Sequence, residues 1–219
     1  MKQALVIFAK QPVPGRVKTR LSPPLSPSDA ARLYLCMLSD TIEAVASLNH
    51  VERFLFFEPS DGAEDFFRDA WPDLTVVPQQ GGGLGERLEN AFARLFSAGF
   101  DAVAAIGTDS PDLPAEYVED AFRILEERRA DVVFGPVEDG GYCLVAMGRL
   151  HPELFRDIPW STGMVLERSE AAAVSLGLGT ARIPAWHDID TGRDLERLLR
   201  EGNPDEAPRT RRFLRQLVS

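Results

Sequence analysis

Apolar residues occur along the chain in short runs that alternate with longer segments of helical periodicity. Residues 4–9 and 102–106 are entirely apolar, which is typical of central strands covered on both faces. Further short runs predict strands at residues 53–57, 75–77, 131–134, 142–147 and 181–183. The other segments predict helices at residues 26–47, 63–71, 88–96, 114–129, 162–176, 191–200 and 209–218.

Strands and helices follow one another in alternation over most of the chain. Such an order predicts an α/β fold in which a largely parallel sheet carries helices on both faces. The Asp-Gly-Gly turn at residues 139–141 joins two closely spaced runs and therefore predicts one antiparallel strand. The sequence contains no internal repeat, low-complexity segment or linker, so we expect a single domain over residues 1–219.

The net charge of the chain argues against some classes of binding partner. With 24 lysines and arginines against 34 aspartates and glutamates, the chain has a formal net charge of −10. Clustered cations bind nucleic acids and anionic membranes, so we expect neither as a partner. The two cysteines cannot build a disulfide framework, and residues 4–9 are too short a run to cross a membrane. We therefore expect a cytoplasmic protein without membrane insertion; the sequence leaves its oligomeric state open.

Cations are concentrated directly after the first predicted strand, in residues 10–20, here called the basic loop. Lys10, Arg16, Lys18 and Arg20 lie within these eleven residues, and Gly15 lets the backbone approach a ligand closely. Ligands of open parallel sheets bind beyond the carboxyl ends of the strands, where this loop lies. The loop could therefore cradle a di- or triphosphate. Alternatively, it is a solvated loop whose cations offset nearby acids.

Acidic residues follow the second fully apolar strand and recur near the end of the chain. Asp109 comes shortly after residues 102–106, where a carboxylate can bridge Mg²⁺ or Mn²⁺ to phosphate oxygens. Asp188 and Asp190 share one face of an extended segment, and two such carboxylates repel unless a cation lies between them. These three residues are the candidate metal ligands.

The chemistry of helix starts offers another explanation for some of these acids. Asp112 would favour the positive end of the helix that follows it, but Asp109 lies too far before that helix. Asp190 would begin a later helix whose capping box is predicted at residues 191–194. This explanation leaves Asp109 and Asp188 without a purely structural role.

Two glycine-rich segments also follow predicted strands. Residues 79–88 include Gly83, Gly85 and Arg87 and could present backbone N–H groups to a base, ribose or phosphate. The segment lacks the dinucleotide-binding fingerprint, and as a flexible turn it needs no function. Asp139 is most simply part of a hairpin turn. In an active site, it would contact the transferred group or the acceptor.

Five motifs together resemble a bacterial family assigned as nucleotide-diphospho-sugar transferases of the glycosyltransferase A type, also described as radical-SAM/selenodomain-associated transferases. The first motif reads KxPxPGxVKTRL and the third GTDSPxLP. More distantly, the chain is similar to 2-phospholactate guanylyltransferase and to molybdenum cofactor nucleotidyltransferases. The motifs occur in order at residues 10–21, 84–88, 107–114, 135–142 and 188–191.

The resemblance implies a three-layer α/β/α domain that binds a nucleotide or nucleotide-sugar over the first half of the sheet. It implies that Arg16, Lys18 and Arg20 hold phosphates and that Asp109 holds a Mg²⁺ or Mn²⁺ ion. An Asp-x-Asp pair is missing around Asp109, so a second metal ligand is expected from the acids near the end of the chain. The reaction would transfer a glycosyl or nucleotidyl group to a small-molecule acceptor.

Three hypotheses follow from these observations. In a metal-dependent transferase, Arg16 or Lys18 would stabilise charge on the phosphates, Asp109 would hold the cation, and Asp139 would act as base toward an acceptor hydroxyl. Alternatively, the chain is a non-catalytic nucleotide-binding regulatory module of the same fold. In the third hypothesis, it is an α/β domain whose basic loop is only a surface. The acids favour the transferase, because a pure binder needs no metal.

Overall fold

The computed structural model describes residues 1–218, and its centre is a sheet of seven strands. Their order across the sheet is β3-β2-β1-β4-β6-β5-β7. Strand β6 is antiparallel to its neighbours β4 and β5, and the other pairings are parallel. The predicted sheet with one antiparallel strand is thus confirmed. The strands are β1 (Gln3–Ala9), β2 (Val51–Phe57), β3 (Thr75–Pro78), β4 (Ala102–Ile106), β5 (Val132–Pro136), β6 (Tyr142–Met147) and β7 (Thr180–Arg182).

Helices cover both faces of the sheet and give the predicted three-layer α/β/α arrangement. They are α1 (Pro27–Ala44), α2 (Ala63–Ala70), α3 (Leu84–Ser97), α4 (Ala115–Glu126), α5 (Val165–Ser175), α6 (Gly192–Arg200) and α7 (Pro208–Val218). Side chains of β1 alternate between the faces: Leu5 and Ile7 pack in one apolar cluster with α1, α2 and α4, whereas Ala4 and Val6 pack in another with α3 and α5. Within residues 1–218, none of the helices combines the length and apolarity needed to cross a bilayer.

Local sequence signals set two of the helix starts. Ser26 caps α1, because its Oγ accepts a hydrogen bond from the backbone N–H of Asp29 at 3.1 Å, and Pro27 occupies the first turn. Thr191 and Asp194 form the predicted capping box at the start of α6. Helices α6 and α7 then pack against α1 through a third, smaller apolar cluster.

Several element boundaries differ from the sequence-based prediction, most of all at α3 and α5. Helix α3 begins at Leu84, four residues earlier than predicted, so part of the glycine-rich segment is helical. Helix α5 begins at Val165 rather than at residue 162. Residues 186–190 are extended but pair with the sheet only through one isolated bridge between Val137 and Trp186. Two backbone hydrogen bonds, from Trp186 to Pro136 and from Ile189 to Asp109, and side-chain contacts together fix this segment's position.

The parallel strands β1 to β5 end at one edge of the sheet, and the antiparallel strand β6 begins there. The residues that follow or begin these strands consequently meet at the same edge. They are the basic loop after β1, Glu58 after β2, Gln79 after β3, Gly107 after β4 and Tyr142 at the start of β6.

Candidate active site

A cleft of about 760 Å³ opens over this edge of the sheet, and we call it the strand-end cleft. Its volume lies in the range of pockets that hold small molecules and cofactors. The basic loop and the start of α3 border one part, and residues 160–165 border another. The predicted site residues that line it are Lys10, Arg16, Lys18, Arg20, Arg87, Asp109, Asp139, Asp188 and Asp190. The predicted glycines are absent from this lining: Gly15, Gly83 and Gly85.

Lys18 lies between two of the predicted metal ligands. Its Nζ is 2.5 Å from Asp109 Oδ1 and 3.0 Å from Asp190 Oδ1, and it donates a hydrogen bond to the carbonyl of Ile189 at 2.6 Å. The side chain is only 4% exposed. Burial alone would lower the pKa of Lys18, but Asp109 and Asp190 together raise it above its usual value. Lys18 is therefore a charged counter-ion of these acids in this structure, rather than a cation directed at solvent.

The remaining cations of the basic loop are more accessible. Arg20 is exposed, with one guanidinium nitrogen 3.4 Å from Asp190 Oδ2. Arg16 is exposed and makes no ion pair with any residue of the described chain. Lys10 Nζ is 3.8 Å from Glu58. Gly15 does not line the cleft, but it allows the turn in the basic loop, because its φ of +79° is a conformation that residues with a side chain rarely adopt.

Asp188 and Asp109 both line the strand-end cleft. Asp188 is half-buried and accepts a hydrogen bond from Ser110 Oγ at 2.6 Å. Burial raises the pKa of Asp188 to about 6; the charges of Asp109 and Asp190 add to this rise, while the Ser110 hydrogen bond and Lys18 oppose it. We call Asp109, Asp188 and Asp190 the carboxylate cluster. Their mutual influence requires that the three lie close together.

The donor set of the carboxylate cluster fits one hard divalent cation. The three carboxylates outnumber the two cations beside them, Lys18 and Arg20, so the cluster retains a negative charge. Within residues 1–218, no three His, Cys, Asp or Glu side chains form a complete metal site. Mg²⁺ is usually bound by one or two carboxylates together with substrate phosphates, so a complete site is not required. Lys18 engages one oxygen each of Asp109 and Asp190, and Arg20 lies near the other oxygen of Asp190, so Asp109 and Asp188 have more carboxylate oxygens without a cationic partner than Asp190 has.

Arg87 holds the glycine-rich segment in place. Its guanidinium is 2.7 Å from Glu58 Oε1, and it donates to the carbonyl of Gly81 at 3.2 Å and to Gln79 Oε1 at 3.3 Å. Gly85 is needed for packing inside α3, because a Cβ there would lie 2.6 Å from the indole nitrogen of Trp160. Arg87 and Gly85 thus shape the wall of the cleft.

Asp139 forms the predicted hairpin turn and also lines the cleft. Its Oδ1 accepts a hydrogen bond from the backbone N–H of Gly141 at 2.8 Å, and Gly140 has a φ of +87°. A Cβ at Gly140 would collide with the backbone of Gly163, so this turn packs tightly on the loop before α5. The turn explains why Asp139 is placed there, and its exposure leaves the carboxylate accessible from the cleft.

Sequence reasoning did not identify the role of Asp112. Besides preceding α4, where its charge favours the helix start, this carboxylate is 4% exposed and accepts a hydrogen bond from Trp186 Nε1 at 3.2 Å. Its other oxygen is 3.2 Å from His187 Nε2. Burial would raise the pKa of Asp112, but His187 and Trp186 lower it, so the buried group is ionised.

Tyr34 was likewise missed as a residue at the site. Its hydroxyl is 2.9 Å from Thr108 Oγ1 and accepts a hydrogen bond from the backbone N–H of Lys10 at 2.9 Å. Burial raises the pKa of Tyr34 to about 12, so the phenol remains protonated. Tyr34 lies on a buried face of α1, and nothing in the sequence indicated that its hydroxyl connects the loops after β1 and β4.

Replacing Lys18 by Met should lower the free energy of unfolding of the ligand-free protein by about 1–2 kcal/mol, because hydrogen bonds to charged groups are lost and two acids are left to repel. Urea unfolding at pH 7.5 measures the effect. Lys2→Met is a matched control, since Lys2 is half-exposed and its Nζ is 3.5 Å from Glu52 on the surface. Equal stability of K18M and K2M would show that Lys18 is not a structural counter-ion.

Replacing Asp188 by Asn should stabilise the metal-free protein at pH 7.5. The pKa of Asp188 in the folded protein, about 6, lies above that of an unfolded aspartate. Above pH 6, the ionised side chain therefore lowers the free energy of unfolding by up to about 3 kcal/mol. This cost disappears as the pH falls from about 6 to about 4, where the parent aspartate is protonated in the folded state. Thermal unfolding across this pH range should show a difference that shrinks toward low pH; a constant difference would contradict the assigned cause.

Comparison with known proteins identifies relatives of this chain. A family described as "uncharacterized protein conserved in bacteria (DUF2064)" matches residues 41–162. The phosphoenolpyruvate guanylyltransferase of Mycolicibacterium paratuberculosis is 27% identical over 91% of this chain and 87% of its own length. The 2-phospho-L-lactate guanylyltransferase of Methanothermobacter thermautotrophicus is 30% identical over 91% of this chain and 85% of its own.

A solved structure agrees with these relationships. A protein of Desulfovibrio desulfuricans G20, provisionally named a nucleotide-diphospho-sugar transferase, superposes with a TM-score of 0.91 and 32% identity. The match covers 99% of this chain and 95% of that one. The fold type inferred from the motifs is thereby confirmed, and the chain belongs to the DUF2064 family.

Proposed function

We propose that this protein is a metal-dependent nucleotidyltransferase that transfers a nucleoside monophosphate, with guanylyl transfer the first candidate, to a small acceptor that carries a phosphate. The observation that carries the proposal is the Lys18-bound carboxylate cluster, which faces the same cleft as Arg16 and Arg20. Anionic and cationic groups at one sheet edge suit a dication and a triphosphate together. The guanylyltransferase names of two relatives that align over most of the chain favour nucleotidyl over glycosyl transfer.

In the proposed reaction, an oxygen of the acceptor phosphate attacks the α-phosphorus of the nucleoside triphosphate. A new P–O bond forms, the bond to the β-phosphate oxygen breaks, and pyrophosphate leaves with the electron pair. The acceptor oxygen is already anionic, so no residue has to remove a proton from it. When bound, Mg²⁺ or Mn²⁺ would neutralise phosphate charge and favour pyrophosphate as a leaving group.

The chain's own residues bind and orient the reactants. Arg16, which is exposed and lines the cleft, would contact the triphosphate, and exposed Arg20 would leave Asp190 to assist it. Lys18 keeps Asp109 and Asp190 together despite their repulsion. Asp109 and Asp188 would hold the cation. Backbone groups near Arg87 would contact the nucleoside. The sheet order puts the segment after β3, which contains Arg87, and the loop after β4, which contains Asp109, on opposite sides of the basic loop.

Glycosyl transfer is the second candidate, and the position of Asp139 favours it. An exposed carboxylate in the same cleft could accept a proton from an acceptor hydroxyl, which a phosphate acceptor would not require. The two reactions differ in their products, because glycosyl transfer releases a nucleoside diphosphate whereas nucleotidyl transfer releases pyrophosphate.

We expect pyrophosphate release when the protein is incubated with Mg²⁺, GTP and 2-phospholactate or phosphoenolpyruvate. Mass spectrometry should detect an acceptor that has gained GMP, and parallel reactions with ATP, CTP and UTP test the base. GDP- and UDP-sugars test glycosyl transfer. Nucleotide binding without any product over long incubation would instead support a regulatory module, and the proposed activity would be wrong.

Replacing Asp109 by Asn should lower turnover at least about 100-fold, because a hard dication loses affinity when an anionic ligand becomes neutral. Nucleotide affinity measured without metal should stay within about threefold of the parent, since the phosphate-binding arginines are intact. Asp101→Asn is the control, because Asp101 is an exposed acid that precedes β4 at the opposite edge of the sheet. Loss of activity in both variants would argue against a specific role for Asp109.

Replacing Arg16 by Ala should weaken nucleotide binding about tenfold or more, because one charge-assisted contact to phosphate is lost. Thermal unfolding of the ligand-free protein should be nearly unchanged, since Arg16 is exposed and its interaction with the charge of Glu58 is screened by solvent. Arg168→Ala serves as control for the loss of an exposed arginine on α5. Unchanged nucleotide affinity in R16A would rule out the phosphate-binding role.

A further inference from the structure

Two chain segments that are far apart in sequence are joined beside the carboxylate cluster. One is the loop after β4 (residues 107–112), and the other is the extended segment at residues 186–190. Their contacts are Trp186 Nε1 to Asp112 Oδ1 at 3.2 Å, His187 Nε2 to Asp112 Oδ2 at 3.2 Å, Ser110 Oγ to Asp188 Oδ1 at 2.6 Å and the Ile189 backbone N–H to the Asp109 carbonyl at 2.8 Å. Each segment contributes one available ligand of the cluster.

Asp112 makes two of these four contacts, and it is the most buried carboxylate near the cleft. Its side chain is 4% exposed, and both of its oxygens meet neighbouring residues of the other segment. An ionised, buried carboxylate is costly unless it is paired and hydrogen-bonded. The partners of Asp112 are therefore held tightly, because losing either one would leave this charge poorly satisfied.

Trp186 connects Asp112 to the sheet. Its backbone N–H donates to the carbonyl of Pro136 at 2.8 Å, and its ring packs edge-on against Tyr117 with centroids 5.4 Å apart. It also stacks on His187 with centroids 5.0 Å apart. These contacts fix the segment at residues 186–190 on one side of Asp188, and buried Ile189, whose backbone N–H donates to the Asp109 carbonyl, fixes it on the other.

We propose that Asp112 is a positioning residue: through Trp186 and His187 it sets the separation of the Asp109 and Asp188 carboxylates and thereby the affinity of the site for a divalent cation. Asp112 itself does not line the strand-end cleft. This inference rests on the proposed function, because it assumes that Asp109 and Asp188 are the metal ligands. Outer groups that orient metal ligands commonly change metal affinity by about 10–100-fold when they are removed.

The test is Mn²⁺ titration of the full chain with an α,β-methylene GTP analogue, followed by the electron paramagnetic resonance signal of free Mn²⁺. Asp112→Ala should bind Mn²⁺ about tenfold or more weakly than the parent. Affinity for the analogue in EDTA should stay within about threefold, because the cations that meet the phosphates are untouched. A general loss of structure would lower both affinities, so the split between them identifies a positioning role.

Two conservative variants sharpen the test. Asp112→Asn should restore most of the Mn²⁺ affinity, because its amide oxygen can accept from Trp186 and its N–H₂ group can donate to an imidazole nitrogen of His187. Trp186→Phe removes one donor and should weaken Mn²⁺ binding even if the Ala variant does not fold. Asp65→Ala is the matched control, since Asp65 is an exposed acid of α2, a helix that does not line the strand-end cleft.

The outcomes separate the inference from the proposed function. Asp109→Asn and Asp188→Asn are titrated alongside. If these weaken Mn²⁺ binding whereas D112A and W186F bind it as the parent does, the positioning role of Asp112 is overturned and the metal site stands. If neither Asp109→Asn nor Asp188→Asn changes Mn²⁺ binding, the metal site itself is wrong, and the inference falls with it.

Discussion

The arrangement at the strand-end cleft depends on one buried ammonium. Acids from the loop after β4 and from the segment before α6 cannot approach one another closely in a half-buried site without a compensating cation. Lys18 supplies that charge from the loop after β1, and it contacts both segments. The site is therefore closed by a long-range contact between elements that a parallel sheet brings to one edge.

Much of the fold could be predicted because its signals are local. The two fully apolar runs became neighbouring central strands, Ser26 capped α1, and the capping box at residues 191–194 formed as expected. The short turn before β6 indicated the antiparallel strand in the same way. Each of these features depends on residues only a few positions apart, where periodicity and capping chemistry are readable from the sequence.

The candidate site was only partly predictable, because its contacts join distant residues. Lys18 and Asp190 are 172 positions apart, and Asp112 and Trp186 are 74 positions apart. Sequence spacing placed Lys18 among phosphate-binding cations, but it could not show that acids surround its ammonium. Gly85 looked like a ligand-binding glycine, whereas its lack of a side chain accommodates Trp160. Such roles become visible only when the packing partner is known.

Because β6 runs in the opposite direction to its neighbours, the two walls of the cleft are formed by different parts of the chain. One wall is made by loops that leave β1 and β3, and the other by a single stretch from the end of β5 through the turn at residues 139–141 to the start of α5. This stretch enters and leaves the sheet next to β4 without contributing to the strands β1–β3. Evolution can therefore remodel one wall by insertion or substitution while the other is preserved. Under the proposed function, such changes would alter the acceptor and leave the nucleotide the same.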